Sequence, residues 1–130
     1  MNAPEDAADD LVSYEVPALA VNKNGVMVMV YGRVGVTTKT SLFPEARYSV
    51  YYPNEARQRR SRVLQNGDFL PTFVHKDETK ATARHYVNKG VIDYATAVVD
   101  PRDDLTVWMI HEFAGKAKDG YKTVVGVVRP

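Results

Sequence analysis

The chain has 130 residues, of which 45% are hydrophobic and 25% charged, and its formal net charge is +1. This length fits one domain or part of a larger one, and so small a net charge gives no reason to expect a nucleic acid as partner. No stretch approaches the roughly 18 apolar residues of a membrane span. The absence of cysteine excludes disulfides and thiolate metal sites.

The first ten residues, MNAPEDAADD, carry four acids among small side chains. A segment that can bury so little apolar surface is expected to be disordered, and residues 1–10 are therefore predicted to form a disordered acidic tail. A secretory signal would be basic and then apolar, so no signal peptide is visible. The sequence leaves the compartment open.

A β-hairpin is predicted over residues 18–31. Its strands are 18–21 and 26–31, and Asn22-Lys23-Asn24-Gly25 is a tight-turn sequence between them. The second strand, VMVMVY, is apolar on both faces, which predicts that sheets cover it on both sides. A short strand at 11–16 precedes the hairpin, and Pro17, which lacks a ladder N–H, is expected to end it.

A threonine-rich stretch at 34–44 predicts a loop, and the alternation of EARYSVYY at 45–52 predicts a strand that Pro53 ends. The following segment, NEARQRRSR, is predicted to be a solvated connection or an outer strand edge. The alternative is a patch for phosphate or another acidic ligand. That patch would be built from Arg57, Arg59, Arg60 and Arg62.

A second hairpin is predicted over residues 96–110, after a polar stretch at 75–92. Its apolar strands, 96–99 and 106–110, flank the turn Asp100-Pro101-Arg102-Asp103-Asp104. The aspartates of this turn are expected to stabilise it through Asx-type hydrogen bonds. Residues 121–128, YKTVVGVV, predict a last strand.

The two hairpins have the same design, and each is followed by a polar loop and an outer strand. Two copies of such a unit predict an all-β fold of two four-stranded antiparallel propeller-like blades, that is, a partial β-propeller. The first blade-like unit would span 11–74, the polar connection 75–92 and the second unit 93–130. An eight-stranded β-sandwich is the alternative fold.

Six strings of residues carry a family resemblance. They are PALAVNKNG at 17–25, Tyr31-Gly32-Arg33, Ala46-Arg47-Tyr48, the Asp93-Tyr94 pair, VDPRDDLTVW at 99–108 and Tyr121-Lys122-Thr123. Together they resemble the C-terminal two blades of the sialidase-like (BNR-repeat) β-propeller proteins, which are mostly exported. The chain departs from that family at Val91-Ile92, where a Trp-Gly is usual, and it lacks the family's Asp-box.

The resemblance implies a set of candidate site residues. Sialidase chemistry uses an arginine cluster for a substrate carboxylate, a tyrosine nucleophile assisted by a glutamate, and an aspartate as acid and base. The ligand-binding candidates are Arg33, Arg47 and Arg84, and the catalytic candidates are Asp93, Tyr94 and Glu112. Linear order does not show that these residues converge. A structural role for Asp93, capping backbone N–H groups at a strand entry, is the competing interpretation.

No cofactor or metal site is predicted. The pair His111-Glu112 lacks the second histidine of a zinc-protease motif, and the chain's histidines are scattered. Trp108 and Tyr31 lie in apolar strands and are predicted to be core residues packed between sheets. A sugar-stacking platform is the alternative for these two aromatic side chains.

The functional prediction is a non-catalytic propeller-like recognition or scaffold module with a glycan or protein ligand. The alternative is a fragment or subunit of a sialidase-like glycoside hydrolase. Two blades alone would leave an apolar face at each end, which normally marks an interface. The chain is therefore predicted to be part of a longer chain or a homo-oligomer, in which three copies would give a ring of about six blades.

Overall fold

The structure is a computed structural model, and it describes residues 4–7, 10–37, 39–57, 59–68, 93–116 and 120–130. These residues form seven β-strands and no helix. The predicted all-β class is confirmed. Accordingly, none of the described residues belongs to a helix that could cross a membrane.

The first sheet has four antiparallel strands in sequence order. They are β1 (Leu11–Val21), β2 (Met27–Val36), β3 (Ser41–Tyr51) and β4 (Arg62–Gln65). The tight turn at Asn22 joins β1 to β2 as predicted, because the Asn22 side-chain oxygen accepts hydrogen bonds from the backbone N–H groups of Asn24 and Val26, each at 3.0 Å.

The second sheet has three antiparallel strands, also in sequence order. They are β5 (Ala95–Val99), β6 (Val107–Ala114) and β7 (Tyr121–Val128). The prediction of four strands per unit therefore holds for the first sheet, whereas the second has three among the described residues. The predicted polar connection at 75–92 lies outside the described residues.

Pro17 does not end the first strand, contrary to the prediction. Glu15 pairs with Gly32 and Ala18 pairs with Val30, so Val16 and Pro17 together oppose one residue of β2. This is a β-bulge, in which the missing N–H of proline leaves no gap in the ladder. Val16 takes a φ of 45° at the bulge.

The predicted loop at 34–44 is also wrong in extent. β2 continues to Val36 and β3 begins at Ser41, so the connection is confined to residues 37–40. A second bulge lies between Arg33 and Gly35 in the pairing with β3. Val36 pairs with Leu11 of β1 and with Ser41 of β3, so pairing on both sides extends β2 into the stretch that polar residues had marked as a loop.

The two sheets pack face to face around an apolar core. Ala20, Val28 and Val30 of the first sheet meet Val107 and Met109 of the second. These residues alternate along their strands with side chains on the outward faces, as the period of two requires. β1 lies over β5, β3 over β6 and β4 over β7.

The turns of the two hairpins contact each other at one edge of the molecule. The backbone N–H of Lys23 donates to the carbonyl of Asp104 at 3.0 Å, and the Asn22 side-chain amide donates to the carbonyl of Leu105 at 3.2 Å. The two hairpins are thus neighbouring units in separate sheets. Their matching turns are aligned by direct hydrogen bonds.

Candidate functional site

Arg33 and Arg47, two of the predicted ligand-binding residues, lie together on the outer face of the first sheet. The β2–β3 register places Arg33 opposite Glu45 and Arg47 opposite Tyr31. Val28 and Val30 face the second sheet, so the odd-numbered side chains of β2 point away from it. Arg84, the third candidate, lies outside the described residues.

Both arginines share one carboxylate. Glu45 Oε1 accepts from Arg33 Nη1 at 2.9 Å and from Arg47 Nη1 at 3.0 Å. Arg33 also pairs with Asp6 through Nε, at 3.1 Å, and through Nη2. Glu5 lies 3.5 Å from Arg47 Nη2. We call these two arginines and three acids the ion cluster.

The ion cluster brings two acids of the N-terminal segment onto the sheet. The segment was expected to be disordered, yet the Asp6 side chain is fully buried and that of Glu5 is 14% exposed. Tyr14 donates a hydrogen bond to Asp6, and Ser61 donates one to Glu5. The low apolar content of this segment gave no sign of these contacts, because its partners are polar or charged side chains and most of them are distant in sequence.

Each guanidinium group of the ion cluster lies against two carboxylates. Burial acts to lower the pKa of Arg33, but its hydrogen bonds to Asp6 and Glu45 outweigh burial and raise the pKa above its usual value. Burial likewise acts to raise the pKa of Asp6, while the bonds from Arg33 and Tyr14 lower it. The chain's own carboxylates thus occupy both guanidinium groups.

Asp93, Tyr94 and Glu112 lie together at the entry of β5. Glu112 Oε2 accepts from the backbone N–H of Asp93 at 2.8 Å and from that of Tyr94 at 3.4 Å. The carboxylate that caps these N–H groups therefore belongs to Glu112 instead of Asp93. The Tyr94 side chain is 76% exposed.

These two groups of candidates lie on opposite sides of the molecule. In β6, Val107 and Met109 face the core, so Glu112 is on the outer face of the second sheet. The ion cluster is on the outer face of the first sheet, and the core separates the two. Within the described ranges, the arginines and the acid–tyrosine group form no common site.

The aspartate turn between β5 and β6 has the Asx-type bonds that were predicted. Asp100 accepts from the N–H of Arg102 at 2.9 Å, and Asp103 accepts from those of Leu105 and Thr106, each at 2.8 Å. The bonds from Thr106 and Leu105 lower the pKa of Asp103 to about 2. These side chains stabilise the turn.

His111 is a buried structural residue. It is fully buried, with Nδ1 2.8 Å from the carbonyl oxygen of Glu112 and Nε2 3.2 Å from that of Val16. The second contact joins β6 to the bulge of β1. Both ring nitrogens thus face backbone carbonyls, and the imidazole links the two sheets.

Trp108 does not lie in the core, contrary to the prediction. It is 43% exposed on the outer face of the second sheet, where its indole N–H donates to Asp100 Oδ2 at 3.1 Å. Tyr31 is buried as predicted but not between the sheets, since it lies on the outer face of the first sheet beside Tyr14. The stretch VWMI is apolar at every position, so periodicity could not show which side faces inward.

The outer face of the second sheet is a continuous apolar surface. Val98, Trp108 and Val127 are cross-strand neighbours in one row, and Ile110 and Val125 pair in the next. Its exposed apolar side chains are Tyr94, Val98, Trp108, Ile110, Val125 and Val127, with exposed fractions from 38% to 76%. Contiguous apolar surface of this kind marks an interaction site more often than isolated exposed residues do.

Comparison with protein family models, with curated proteins and with solved structures found no match to this chain. The geometry of the described residues is therefore the basis for the functional proposal.

Proposed function

We propose that this chain is a non-catalytic, propeller-like scaffold module whose outer face on the second sheet packs against a further β-sheet. The observation that carries the proposal is the pair of exposed apolar cross-strand rows around Trp108. Burying such rows against a second sheet is how stacked sheets are stabilised.

The chemistry of this face favours a protein ligand over a glycan. Most of its exposed side chains are aliphatic, and the indole N–H of Trp108 is already bonded to Asp100. A sugar site needs convergent polar groups beside its aromatic platform. An aliphatic surface instead matches the apolar face of another sheet.

The propeller-like part of the proposal is supported by the order of the strands. Both sheets are antiparallel meanders, stacked so that β1 lies over β5 and β4 over β7. Successive propeller blades have this arrangement, and the resemblance of the 99–108 string to the sialidase-like family agrees with it. A sialidase-like hydrolase fragment has less support, because its candidate residues lie on opposite faces in the described part of the chain.

Concentration-dependent association tests the proposal directly. Trp108 is the only tryptophan in the sequence, so its fluorescence reports on this face alone. We expect the mass from analytical ultracentrifugation to rise with concentration while the tryptophan emission shifts to the blue. Val125→Lys should abolish both changes, whereas Ser41→Lys, which adds the same charge at an exposed position of β3, should not.

A monomer at every concentration, with tryptophan emission unchanged, would contradict association between copies through this face. If Val125→Lys and the unmodified chain associate to the same extent, the apolar rows do not have the proposed role. Circular dichroism of both variants checks that the strands are retained.

A further inference from the structure

A cavity lies where the edges of the two sheets meet, and it is independent of the apolar outer face. Its volume is about 270 Å³, and its lining includes Val50 of β3, Val128 of β7 and Tyr52. Four arginines line it: Arg59, Arg60, Arg62 and Arg129. We call this cavity the arginine pocket.

The arginines reach the pocket from both sheets. Arg59 and Arg60 precede β4, Arg62 is its first residue, and Arg129 follows the last residue of β7. Three of the four belong to the NEARQRRSR run, for which the sequence left open a phosphate or acidic-ligand patch. The fourth is far away in the sequence, so only the packing of the two sheets adds it to the group.

The positive charge of the pocket is only partly neutralised. Arg59 pairs with Glu55, and its guanidinium lies 4.2 Å from the centre of the Tyr52 ring. Arg129 Nε is 3.8 Å from Asp103 Oδ2, at the limit of an ion pair. Arg60 and Arg62 have no ion pair with any described acid, and the described residues that line the pocket include no acidic side chain.

We propose that the arginine pocket binds a tetrahedral oxyanion, the phosphate or sulfate group of a small monoester. A carboxylate offers two oxygens, which one guanidinium fork can satisfy. A group with three terminal oxygens can accept from several arginines at once, and a doubly charged phosphate also balances more than one of them. Val50, Val128 and Tyr52 supply apolar lining for the ester's organic part. Among the described lining residues Tyr52 is the one aromatic ring, whereas a nucleic-acid groove stacks bases on a series of them.

Titration of the full chain with inorganic phosphate tests this proposal, using calorimetry and ³¹P NMR at low and physiological salt. We expect saturable binding that Arg62→Gln and Arg60→Gln each weaken by about tenfold, as expected for loss of a charge-assisted hydrogen bond. Arg57→Gln is the matched control, because Arg57 belongs to the same run but does not line the pocket. Glu55→Gln should tighten binding, since it releases Arg59.

Parallel titrations with sulfate, glucose 6-phosphate, glucose 6-sulfate and acetate identify the ligand. Tighter binding of the sugar phosphate than of the sugar sulfate would assign a phosphate ester, and the reverse would assign a sulfate ester. Acetate binding as tightly as phosphate would overturn the tetrahedral class. The proposal fails if the binding of phosphate does not saturate. It also fails if the folded Arg57→Gln variant loses as much affinity for phosphate as the folded Arg60→Gln and Arg62→Gln variants.

Discussion

Glu45 is the residue on which the ion cluster depends. It is 6% exposed and its Oε1 atom is shared by Arg33 and Arg47. Buried charges are tolerated only when they are paired, because desolvation of an unpaired charge costs several kcal/mol. Removing this carboxylate would take away the one acceptor that both guanidinium groups share, so that Arg33 would keep only the carboxylate of Asp6 and Arg47 only that of Glu5, at 3.5 Å.

We therefore predict that Glu45→Gln lowers the free energy of unfolding by about 3 kcal/mol, the size of effect seen when one partner of a buried ion pair is removed. Urea denaturation measures the change. The matched control is Glu55→Gln, which breaks the exposed pair with Arg59 and should leave the unfolding midpoint almost unchanged. Equal effects of the two substitutions would show that the ion cluster does not stabilise the fold.

Glu15 makes the stability of the fold depend on pH. Unlike the charge of Glu45, its negative charge destabilises the folded protein. Burial raises its pKa above the ordinary value of 4.5. The folded protein thus holds this proton more tightly than the unfolded chain does. Ionisation of Glu15 therefore costs stability, and this cost is absent below pH 4.5 and grows as the pH rises through the raised pKa.

Glu15→Gln is accordingly predicted to raise the melting temperature at pH 7.5 and to have little effect at pH 4, where Glu15 is largely protonated in the folded protein. Thermal unfolding at the two pH values measures the difference. Glu55→Gln should give no such gain at pH 7.5, because hydrogen bonding to Arg59 lowers the pKa of Glu55. A gain for Glu15→Gln that is the same at both pH values would exclude ionisation as its cause.

At the scale of single elements, Gly35 allows β1 and β2 to approach at the end of the first hairpin. Its φ is 148°, and a Cβ placed there would lie 2.1 Å from the carbonyl oxygen of Leu11. Both the conformation and the space require glycine.

Gly35→Ala is expected to lower the free energy of unfolding by about 2 kcal/mol or more, because the strained backbone and the clash with main-chain atoms act together. Gly120→Ala is the control, since Gly120 also has positive φ, at 67°, but no atom lies within 4 Å of its added Cβ. Chemical denaturation compares the two. If Gly35→Ala costs no more than Gly120→Ala, the close approach of β1 is not a constraint.

At the scale of the whole molecule, both outer faces expose apolar residues. Leu19 and Val21 of the first sheet are 56% and 52% exposed, comparable to Val125 and Val127 of the second, at 60% and 55%. Two geometries of association between copies can cover these exposed apolar residues. A dimer would pair the outer faces of two second sheets, whereas a ring would place the first sheet of one copy on the second sheet of the next.

Val21→Lys distinguishes these geometries. If copies form a ring, both Val21→Lys and Val125→Lys should abolish association, since each removes one half of a head-to-tail contact. Mixing the two variants should then restore limited association through their intact faces. If copies form a face-to-face dimer, only Val125→Lys should act, and sedimentation of the single variants and of their mixture measures the outcome.

Local sequence signals were sufficient for most strands and turns but not for the ends of the strands. The Asn22 turn and the Asp100–Asp104 turn followed from residue types whose side chains bond to nearby backbone. Strand extension past Pro17 and to Val36 depended instead on pairing with neighbouring strands. Propensity is too weak to predict such extension.

Sequence reasoning named only two members of the ion cluster. Arg33 and Arg47 were named as anion-binding residues, and they do converge on acids. The acids, however, include Asp6 and Glu5 from a segment whose composition predicted disorder. Trp108 was placed on the wrong face because both faces of β6 are apolar.

The sequence alone determined that this protein is built from β-strands with two similar hairpins, because alternation and turn chemistry act over a few residues. The tertiary structure decided which face of each strand is buried, which charges meet and where the arginine pocket forms. Those features depend on strand register and on how two sheets stack, and a shift of one residue would exchange the buried and exposed faces of a strand.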